Sequence, residues 1–529
     1  MILPIEQVFP DSLLLTMHQE LPITGIVGVV GGAPGEVEAA LRTLEASGAS
    51  RPDALEVRAD LFDRPWEAVE VLELFGSRVP IIFTVRLKSH GGRWEGDEFE
   101  RVRLSEEALR RGATLVDAEW DSPAARELSQ RAAPLVVSHH DFKGMMEPGE
   151  LRRITCGMLE LRPWALKCVP TATSQQDGVQ MLEWIAQAGA EGPRRLGFAM
   201  GEMGLPSRVL SIAWGAPYTY AAMARAVAPG QVSVSDLRGL YRSPNLSRRT
   251  RVYGVVGNPV AHSLSPYLHN RAFSARSLDA VYLPLRINTF PELLDVVDSL
   301  GIDGLSVTLP FKEDALRAAH EADERARSAG AANTLLIDRS VVAQRSPEAT
   351  ARIRAFNTDF DGVLEPLHRR RLQLPGLSVA IIGNGGAARG AAKALLAAGA
   401  MVTLYYRNAE RGEPVARSLG ARGRNLGDFT PGSHQLIVNA TSLGLHHGDG
   451  SPLSAKVFDP NTWAFEMIYD PPETQFLVDA RAAGAQTITG REMLICQGRA
   501  QFKLFTGEEV SYEEFEAAFL EGQTARRGG

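Results

Sequence analysis

Hydrophobic residues in the first half of the chain fall in short β-rich runs that alternate with helix-forming stretches. Eight such runs lie between about residues 23 and 225, namely ITGIVGVV, ALEVRAD, PIIFTVR, TLVDAEW, LVVSHHDF, ALKCV, RLGFAM and APYTYAA. This alternation is typical of parallel strands joined by crossover helices. Eight units over about 200 residues predict a compact (β/α)8 barrel.

The pattern changes twice in the second half. Residues 242–251, RSPNLSRRTR, are polar, basic and proline-containing, which is typical of a linker. Strand–helix alternation resumes with VYGVVG at residues 252–257. Near residue 375, LPGLSVAIIGNGGAARGAAKALLAAGA predicts a strand, a glycine-rich turn and an alanine-rich helix. The second half is therefore also α/β.

Length, charge and cysteine usage limit the classes of function. The 529 residues, 44% hydrophobic and 22% charged, are those of an ordinary globular protein of about three or four domains. A net charge of −7 without a basic, aromatic-rich patch argues against nucleic-acid and membrane-surface partners. Three scattered cysteines predict neither a disulfide framework nor a metal site. With no signal, transit or membrane-spanning pattern, we expect a cytoplasmic location.

Polar residues stand at the carboxyl ends of most predicted strands of the first half, where such barrels react their substrates. Lys167 lies in the otherwise apolar ALKCV, and an amine desolvated by such a wall is nucleophilic towards a ketone. The resulting iminium acidifies the neighbouring carbon, and His140, one strand earlier, is placed to remove that proton. Arginines without a metal motif indicate an anionic, hydroxylated substrate. The strand-end set is Glu56, Arg58, Arg86, Glu119, His140, Lys167 and Arg208.

Lys167 also has a less specific interpretation. A lone lysine on a strand commonly extends its ammonium to water or pairs with a carboxylate, here Glu119. Charges at the ends of most of the other predicted strands favour a reaction site instead.

The motifs ALEVRAD, FTVR, SHHDF, ALKCV, GLPSR and APGQVS, in this order and spacing, resemble type I 3-dehydroquinate dehydratase over about residues 23–240. The resemblance implies that Lys167 is the Schiff-base lysine, and that His140, which directly precedes the Asp-Phe pair, is the acid/base. His90 stands where the family usually has glutamate, and Glu95 is the candidate to replace it through a shifted loop. The implied substrate contacts, with Arg208 as carboxylate anchor, are Glu56, Arg58, Arg86, Arg208 and Gln231.

The second half places hydroxyl groups and a lysine–aspartate pair after its predicted strands. Ser263 and Ser265 precede a predicted helix, where hydroxyls suit a carboxylate, although helix capping explains either serine alone. Lys312 in GLSVTLPFKEDAL and Asp359 in AFNTDFDG could converge on one hydroxyl and move its proton during hydride transfer. Taken singly, they would be a surface ion pair.

A dinucleotide fingerprint follows near residue 383. IIGNGGAAR supplies Gly383, Gly385 and Ala388 in a G-x-G-x-x-A spacing between a strand and a helix, which is the context that the fingerprint requires. The next strand, MVTLYYRN, ends without the acidic residue that holds a ribose 2′-hydroxyl and offers Arg407 instead. This favours NADP, with an ordinary exposed arginine as the alternative.

Together with Ser-x-Ser-Pro, Val-Thr-x-Pro-x-Lys, Ala-Asn-Thr, NATSLG, IYDPPET and GREMLICQGRAQF, these motifs resemble shikimate dehydrogenase over about residues 252–522. The resemblance implies Lys312 and Asp359 as the catalytic pair. It implies that shikimate is held by Ser263, Ser265, Thr308, Asn333, Tyr469 and Gln497. It implies that NADP is lined by Gly383, Gly385, Gly386, Ala387, Ala388, Arg407, Thr441, Met467 and Gly490.

The two resemblances imply a (β/α)8 barrel followed by a two-lobed module, an α/β substrate lobe and a Rossmann NADP lobe. The expected order is the barrel at 1–241, a linker at 242–251, the substrate domain at 252–365, the Rossmann domain at 366–495 and a helical return to the substrate domain at 496–529.

The implied function is a bifunctional enzyme with small-molecule substrates, which dehydrates 3-dehydroquinate to 3-dehydroshikimate and reduces that to shikimate with NADPH. A class I aldolase would share the barrel and the Schiff base, but the histidine motif and APGQ argue against it. A metabolite-sensing regulator would be expected to lose Lys167 or Asp359. Quinate as the substrate of the second half stays open, with Ser263 and Ser265 favouring shikimate.

Overall fold

The computed structural model describes residues 23–46, 48–189, 192–223, 232–339, 352–446 and 448–528. The described residues form two compact units, one made of those up to 252 together with 279–301, the other of those in 253–278 together with 302–528. No helix within the described ranges is long and apolar enough to cross a membrane.

The first unit is built on eight short strands, β1 Gly25–Val30, β2 Ala54–Arg58, β3 Ile81–Thr84, β4 Leu115–Glu119, β5 Leu135–Asp141, β6 Ala165–Pro170, β7 Arg194–Gly197 and β8 Tyr218–Ala222. They form one parallel sheet in the order β7-β6-β5-β4-β3-β2-β1-β8. The ends β7 and β8 lie side by side, so the sheet curls into a nearly closed barrel. The predicted (β/α)8 architecture is confirmed.

The helices of this unit follow the strands and cover the outside of the barrel. Two start where the sequence carries a start signal: Ser122 caps one by accepting from the Ala125 N–H, and Ser174 forms a capping box with Asp177 in another. These caps fix where the chain leaves the carboxyl ends of β4 and β6. The helices are α1 Glu36–Glu45, α2 Pro65–Glu70, α3 Leu72–Phe75, α4 Glu98–Arg110, α5 Pro123–Gln130, α6 Pro148–Glu160, α7 Gln175–Ala186 and α8 Leu205–Leu210.

Residues 242–251, which the sequence predicts as a linker, belong to the first unit and pack within it. The side chain of Ser243 is fully buried and donates a 2.6 Å hydrogen bond to the Val209 carbonyl. Leu246 is buried, and the guanidinium of Arg248 lies 3.2 Å from the centre of the Trp214 ring. The segment is therefore held in place by packing, while the exact domain bounds stay predictions.

A mixed sheet carries the first part of the second half. Its strands are β9 Arg251–Gly257, β10 Ala280–Arg286, β11 Ile302–Val307, β12 Glu321–Ala322, β13 Thr334–Asp338 and β14 Arg352–Phe356, in the order β10-β9-β11-β13-β14-β12. β13 runs antiparallel to both β11 and β14. The carboxyl ends of β11 and β14 therefore lie at the same edge. The helices in this part of the sequence are α9 Ser265–Ala275, α10 Phe290–Leu300, α11 Lys312–Ala318, α12 Glu324–Ala329 and α13 Asp359–Arg369. Of these, α10 lies in the segment 279–301, which belongs to the first unit.

The last part is a parallel sheet of β15 Ser378–Ile382, β16 Met401–Tyr406, β17 Arg422–Asn425, β18 Leu436–Asn439, β19 Trp463–Glu466 and β20 Gln486–Ile488. Its order, β17-β16-β15-β18-β19-β20, is that of a Rossmann fold, in which ligands bind where the order reverses, between β15 and β18. The remaining helices are α14 Gly386–Ala397, α15 Ala409–Leu419, α16 Gln475–Ala482, α17 Gly490–Thr506 and α18 Tyr512–Gly528.

Candidate active sites

Four side chains from even-numbered strands form one layer inside the barrel: Glu56 from β2, Asp117 from β4, Lys167 from β6 and Tyr220 from β8. Alternate strands share a layer in barrels of this type. The ammonium of Lys167, 4% exposed, lies 3.1 Å from Asp117 Oδ2, 3.4 Å from Glu56 Oε1 and 4.0 Å from the centre of the Tyr220 ring. Two carboxylates and an aromatic face thus enclose Lys167, where the sequence led us to expect an apolar wall.

Arg86 joins this layer to its surroundings. Its guanidinium lies 2.8 Å from Asp117 Oδ1 and 3.1 Å from Glu119 Oε1, and donates to Ser138 Oγ. Burial raises the pKa of Asp117, but Arg86 and Lys167 outweigh it and hold that pKa well below its usual range. Asp117 is therefore an anion that orients both cations. Glu119, the alternative partner for Lys167, pairs with Arg86 and Arg101 instead.

His140 lies on β5, next to the strand of Lys167. The register sets Ser138 opposite Lys167, so His140 is two residues further towards the carboxyl end. Its Nδ1 is buried and has no hydrogen-bond partner among the described residues, and its ring stacks on Phe142. Burial, together with the positive charges of Arg86 and Lys167, lowers the pKa of His140 well below its ordinary value of 6.5. The imidazole is therefore neutral at neutral pH and able to accept a proton.

The loop after β3 does not bring a carboxylate to His140. Glu95 is exposed and pairs with Lys88 at 2.8 Å, so the expectation that it replaces the family's glutamate is wrong. His90 lies 3.4 Å from Asp121 Oδ1 and meets the ring of His139 edge-on, with ring centres 5.6 Å apart. The physical reason is that the loop turns Glu95 outwards, where an exposed ion pair satisfies it.

Arg208 is a buried cation without a carboxylate partner among the described residues. Its guanidinium stacks 3.7 Å from the centre of the Phe198 ring, and Nη1 donates a 2.9 Å hydrogen bond to the Tyr220 carbonyl, while Nε has no partner. Burial lowers the pKa of Arg208 to about 9, which leaves it charged at neutral pH. A charged, incompletely bonded guanidinium suits a ligand carboxylate.

The other predicted contacts of the barrel differ in their surroundings. Glu56 is buried and accepts from Thr84 Oγ1 at 2.9 Å, and Arg58 forms a bidentate pair with Asp60, both bonds being 2.9 Å. Gln231 lies outside the described residues. The structure therefore brings Glu56 directly to Lys167 and places Arg58 against Asp60, which also accepts from the backbone N–H of Arg86.

In the second half, Lys312 and Asp359 meet as the sequence predicts. Lys312 begins α11 after β11, and Asp359 begins α13 after β14, at the shared edge of the sheet. Lys312 Nζ lies 2.6 Å from Asp359 Oδ2, and Asn333 Nδ2 donates to Asp359 Oδ1 at 2.8 Å and to Gln497 Oε1 at 3.3 Å. The Lys312 side chain keeps 25% of its exposure and that of Asp359 11%, so a ligand can reach the pair.

The remaining predicted shikimate contacts lie near strand ends without bonding to this pair. The Thr308 N–H donates to the Val256 carbonyl at 2.9 Å, which places Thr308 beside the end of β9. The Ser265 N–H donates to Ser263 Oγ at 3.3 Å, and Tyr469 is half-buried after β19. Among the described residues no hydrogen bond joins Ser263, Ser265 or Tyr469 to Lys312 or Asp359.

The carboxyl edge of the Rossmann sheet forms a cradle at the start of α14. Gly383 has a φ of +119°, and a Cβ there would lie 2.8 Å from the Ala440 carbonyl, so only glycine fits. Gly385, Gly386 and Ala387 are at least partly exposed, and a Cβ at either glycine would meet nothing within 4 Å. An open helix N-terminus of this kind binds phosphate through its backbone N–H groups, so the cradle fits a dinucleotide.

The other residues predicted for the cofactor surround this cradle. Arg407 is exposed after β16, and no carboxylate in the described part of the chain forms an ion pair with it. Thr441, after β18, lies against Gly383, and Met467 follows β19. At Gly490 a side chain is excluded, because a Cβ there would lie 2.2 Å from the Ile468 carbonyl oxygen. Ala388, in the first turn of α14, is fully buried.

Known proteins match both halves. Residues 33–247 match a family model for type I 3-dehydroquinase, residues 255–335 one for the shikimate dehydrogenase substrate-binding domain, and residues 490–518 one for the shikimate 5′-dehydrogenase C-terminal domain. A shikimate dehydrogenase (NADP+) of Methanothrix thermoacetophila is 37% identical over 273 residues, which cover 51% of this chain and 96% of that protein. The chain belongs to the shikimate dehydrogenase family. It carries a type I 3-dehydroquinase region ahead of the dehydrogenase.

The similarity to a curated protein can extend across both regions of this shikimate dehydrogenase family member. The chloroplastic bifunctional 3-dehydroquinate dehydratase/shikimate dehydrogenase of Arabidopsis thaliana is 29% identical over 481 residues, covering 86% of this chain and 78% of that protein. The shikimate 5-dehydrogenase of Thermus thermophilus, solved with NADP(H) and shikimate, is 33% identical, covers 51% of this chain and 99% of that one, and has a TM-score of 0.46.

Sequence reasoning missed two of the four residues in the barrel layer, Asp117 and Tyr220. Asp117 bonds both Lys167 and Arg86, yet it precedes the strand end and was not among the strand-end charges. The signal was present, because Asp117 stands two residues before Glu119 on β4 and side chains two apart share a face of a strand.

Proposed function

We propose that this chain dehydrates 3-dehydroquinate to 3-dehydroshikimate in its barrel and reduces 3-dehydroshikimate to shikimate with NADPH in its second half. The observation that carries the proposal is that one chain brings together two sets of side chains suited to these two reactions. A buried lysine lies beside a neutral histidine in the barrel, and a lysine–aspartate pair lies in a module that also has a dinucleotide cradle. The family matches of both regions support it.

In the barrel, the Lys167 ammonium first loses a proton to water. The neutral amine then attacks the ketone carbon of 3-dehydroquinate, and loss of water gives a Schiff base. Asp117 and Glu56, within hydrogen-bonding distance of Nζ, hold the lysine in place. The iminium withdraws electrons from the adjacent carbon, and neutral His140 removes the proton there. The C–O bond of the β-hydroxyl then breaks, the leaving oxygen takes the proton that His140 has gained and departs as water, and hydrolysis of the iminium returns Lys167.

Substrate orientation in the barrel rests on its arginines. We assign the substrate carboxylate to Arg208, because this buried guanidinium has a donor without a partner and no competing carboxylate among the described residues. Glu56, Arg58 and Gln231 are assigned to hydroxyl groups. Arg86 also contributes, because its guanidinium has five N–H donors and its bonds to Asp117, Glu119 and Ser138 leave capacity for the substrate.

In the second half, NADPH supplies the hydride when it is bound at the glycine cradle. Lys312 is placed to donate a proton to the oxygen that becomes the new hydroxyl of shikimate, and Asp359 at 2.6 Å orients the ammonium. Asn333 and Gln497 extend the same hydrogen-bonded group. We assign substrate binding also to Ser263, Ser265, Thr308 and Tyr469, and cofactor binding to the cradle with Arg407, Thr441, Met467 and Gly490.

Product analysis by NMR tests the proposal. With 3-dehydroquinate alone, the wild-type chain should accumulate 3-dehydroshikimate, and addition of NADPH should convert that to shikimate. Formation of quinate from 3-dehydroquinate, faster than that of shikimate from 3-dehydroshikimate, would favour the quinate alternative. Binding of these compounds without any turnover would identify a metabolite sensor and contradict the proposal.

The pH dependence of the dehydratase tests the role of His140. Because the pKa of His140 is lowered, its neutral form persists below pH 6.5, so kcat/KM should stay level from neutral pH to well below 6.5 and fall only under that. His140→Ala should lower kcat by about a hundred- to ten-thousandfold. The matched control is His139→Ala on the same strand, which should keep near-normal activity. An acidic limb at or above pH 6.5 would contradict the assignment.

Cofactor choice tests the role of Arg407. An exposed, charge-assisted contact with the 2′-phosphate is worth about 1.5–3 kcal/mol, or about ten- to a hundredfold in preference. Arg407→Ala should therefore reduce the ratio of kcat/KM for NADPH to that for NADH by this factor, mainly through NADPH. Arg417→Ala, an exposed arginine on α15 paired with Glu413, is the control. An unchanged ratio in Arg407→Ala would place recognition of the 2′-phosphate elsewhere.

We also propose a cytoplasmic location and small molecules as the ligands, without nucleic-acid or membrane partners. The three cysteines are unpaired, Cys156 being exposed and Cys168 and Cys496 buried, which fits a reducing compartment. The net charge of −7 supports the absence of a nucleic-acid partner.

A further inference from the structure

Glu466 is a fully buried carboxylate at the carboxyl end of β19. No cation within the described ranges forms an ion pair with it, and burial raises its pKa in spite of its hydrogen bonds. Burying an acid in this way costs free energy unless its hydrogen bonds compensate. Glu466 takes no chemical step in the proposed mechanism. We therefore look to its hydrogen bonds for the reason that a carboxylate is buried here.

The carboxylate of Glu466 ties together two neighbouring loops of the Rossmann sheet. Oε2 accepts from Asn439 Nδ2 at 2.9 Å and from Thr474 Oγ1 at 2.7 Å, and Oε1 accepts from the Ile468 N–H at 3.0 Å. Asn439 ends β18, whereas Ile468 and Thr474 follow β19. The Glu466 side chain therefore connects the end of β18 with the loop that follows β19, at the carboxyl edge of the sheet where the dinucleotide cradle lies.

The bond to Asn439 reaches the cradle itself. Asn439 is also fully buried, and its Oδ1 accepts from the Thr441 N–H at 3.1 Å and from Thr441 Oγ1 at 2.7 Å. Thr441 in turn lies against Gly383. A carboxylate only accepts hydrogen bonds, so Glu466 draws the NH₂ of Asn439 towards itself and leaves the amide oxygen for Thr441. The orientation of one buried amide thus sets the wall of the cradle.

We propose that Glu466 is a positioning residue for the NADPH site, acting through Asn439 on Thr441. The proposal rests on the proposed function of the second half, and adds the group that keeps the cradle in its binding shape. It predicts a specific defect, weaker NADPH binding with the hydride-transfer step nearly intact.

Glu466→Gln tests this, because one of the two accepting oxygens becomes an NH₂, which must then face either the NH₂ of Asn439 or the N–H of Ile468. We expect the KM and Kd for NADPH to rise about tenfold or more, with kcat at saturating NADPH within about twofold of the wild type. The dehydratase activity of the same chain should be unchanged, which controls for folding. The double variant Glu466→Gln with Asn439→Asp reverses donor and acceptor between the two positions. It should recover part of the affinity, because the aspartate no longer donates to the Leu443 carbonyl, which Asn439 Nδ2 reaches at 3.3 Å.

The outcomes separate the inference from the function on which it rests. A wild-type chain that binds no NADPH in a fluorescence titration would overturn the proposed function and the inference together. A wild-type chain that binds NADPH, with Glu466→Gln binding equally tightly, overturns the inference alone. Failure of the double variant to recover affinity, or a parallel loss of dehydratase activity in Glu466→Gln, would show a general packing role and also overturn it.

Discussion

Replacing Lys167 by methionine is expected to lower dehydratase activity by several orders of magnitude, because the covalent route through the Schiff base disappears. Methionine is similar in length and apolar, but Asp117 and Glu56 would then lose the ammonium that faces both. The loss should appear in kcat for 3-dehydroquinate. Dehydrogenase activity with shikimate should remain close to the wild type in the same preparation, which shows that the chain is folded.

Chemical trapping identifies the reacting atom directly. Borohydride added with 3-dehydroquinate or its product should reduce the iminium to an amine that cannot hydrolyse, leaving an adduct on the peptide that contains Lys167. Lys88→Met is the matched control, because Lys88 is exposed and pairs with the exposed Glu95. It should keep both activity and adduct. Mass spectrometry that finds no adduct, or an adduct at another lysine, would contradict the Schiff-base assignment.

Replacing Lys312 by alanine is expected to lower the dehydrogenase kcat by about a hundred- to ten-thousandfold, since the proton donor for the new hydroxyl is lost. Asp359→Asn should give a smaller loss in the same direction, because an amide can still hydrogen-bond the ammonium, 2.6 Å away in the wild type, but does not carry the charge.

The control for Lys312→Ala is Lys503→Ala. Lys503 also forms a close pair with a carboxylate, Glu509 at 2.7 Å, but is 61% exposed and far more open to solvent than Lys312. Its loss should change neither activity by more than about twofold, because exposed ion pairs are worth little. If Lys503→Ala and Lys312→Ala reduced the dehydrogenase equally, or if Lys312→Ala left kcat unchanged, the catalytic role of Lys312 would be wrong.

The backbone architecture followed closely from the hydrophobic pattern. Parallel strands buried on both faces leave near-continuous apolar runs, and all eight predicted runs of the first half became strands of the barrel. The Gly383 turn was equally predictable, because it belongs to the G-x-G-x-x-A motif. The structure shows why the motif needs glycine there: φ is +119°, and the nearby Ala440 carbonyl leaves no room for a Cβ. Such features depend on local geometry, which a short motif records.

The surroundings of the proposed catalytic groups were less predictable. ALKCV is apolar along its own strand, but the side chains that face Lys167 come from β4 and β2, 50 and 111 residues away in the chain. The alternation of side chains along each strand identifies inward-facing candidates such as Asp117. Which strands contribute to the same layer, however, is determined only by closure of the barrel. The path of the loop that carries Glu95 likewise depended on tertiary contacts.

The same limit applies to Glu466. In the sequence Glu466 is a single acidic residue shortly before IYDPPET, with no indication of a hydrogen-bond partner. Its bond to Asn439 forms because β18 and β19 are adjacent in the sheet, and its bond to Thr474 forms because the loop after β19 folds back. Buried hydrogen-bond networks of this kind can be predicted only once the order of the strands in the sheet is known.

The central claim is that one chain holds two separate active sites for consecutive reactions. The most direct test follows loss of NADPH absorbance after 3-dehydroquinate is added. The wild type should consume NADPH, Lys167→Met alone and Lys312→Ala alone should not, and an equimolar mixture of the two variants should restore consumption, because each supplies the site that the other lacks. A mixture that stays inactive while the wild type works, or either variant alone consuming NADPH at the wild-type rate, would contradict the account.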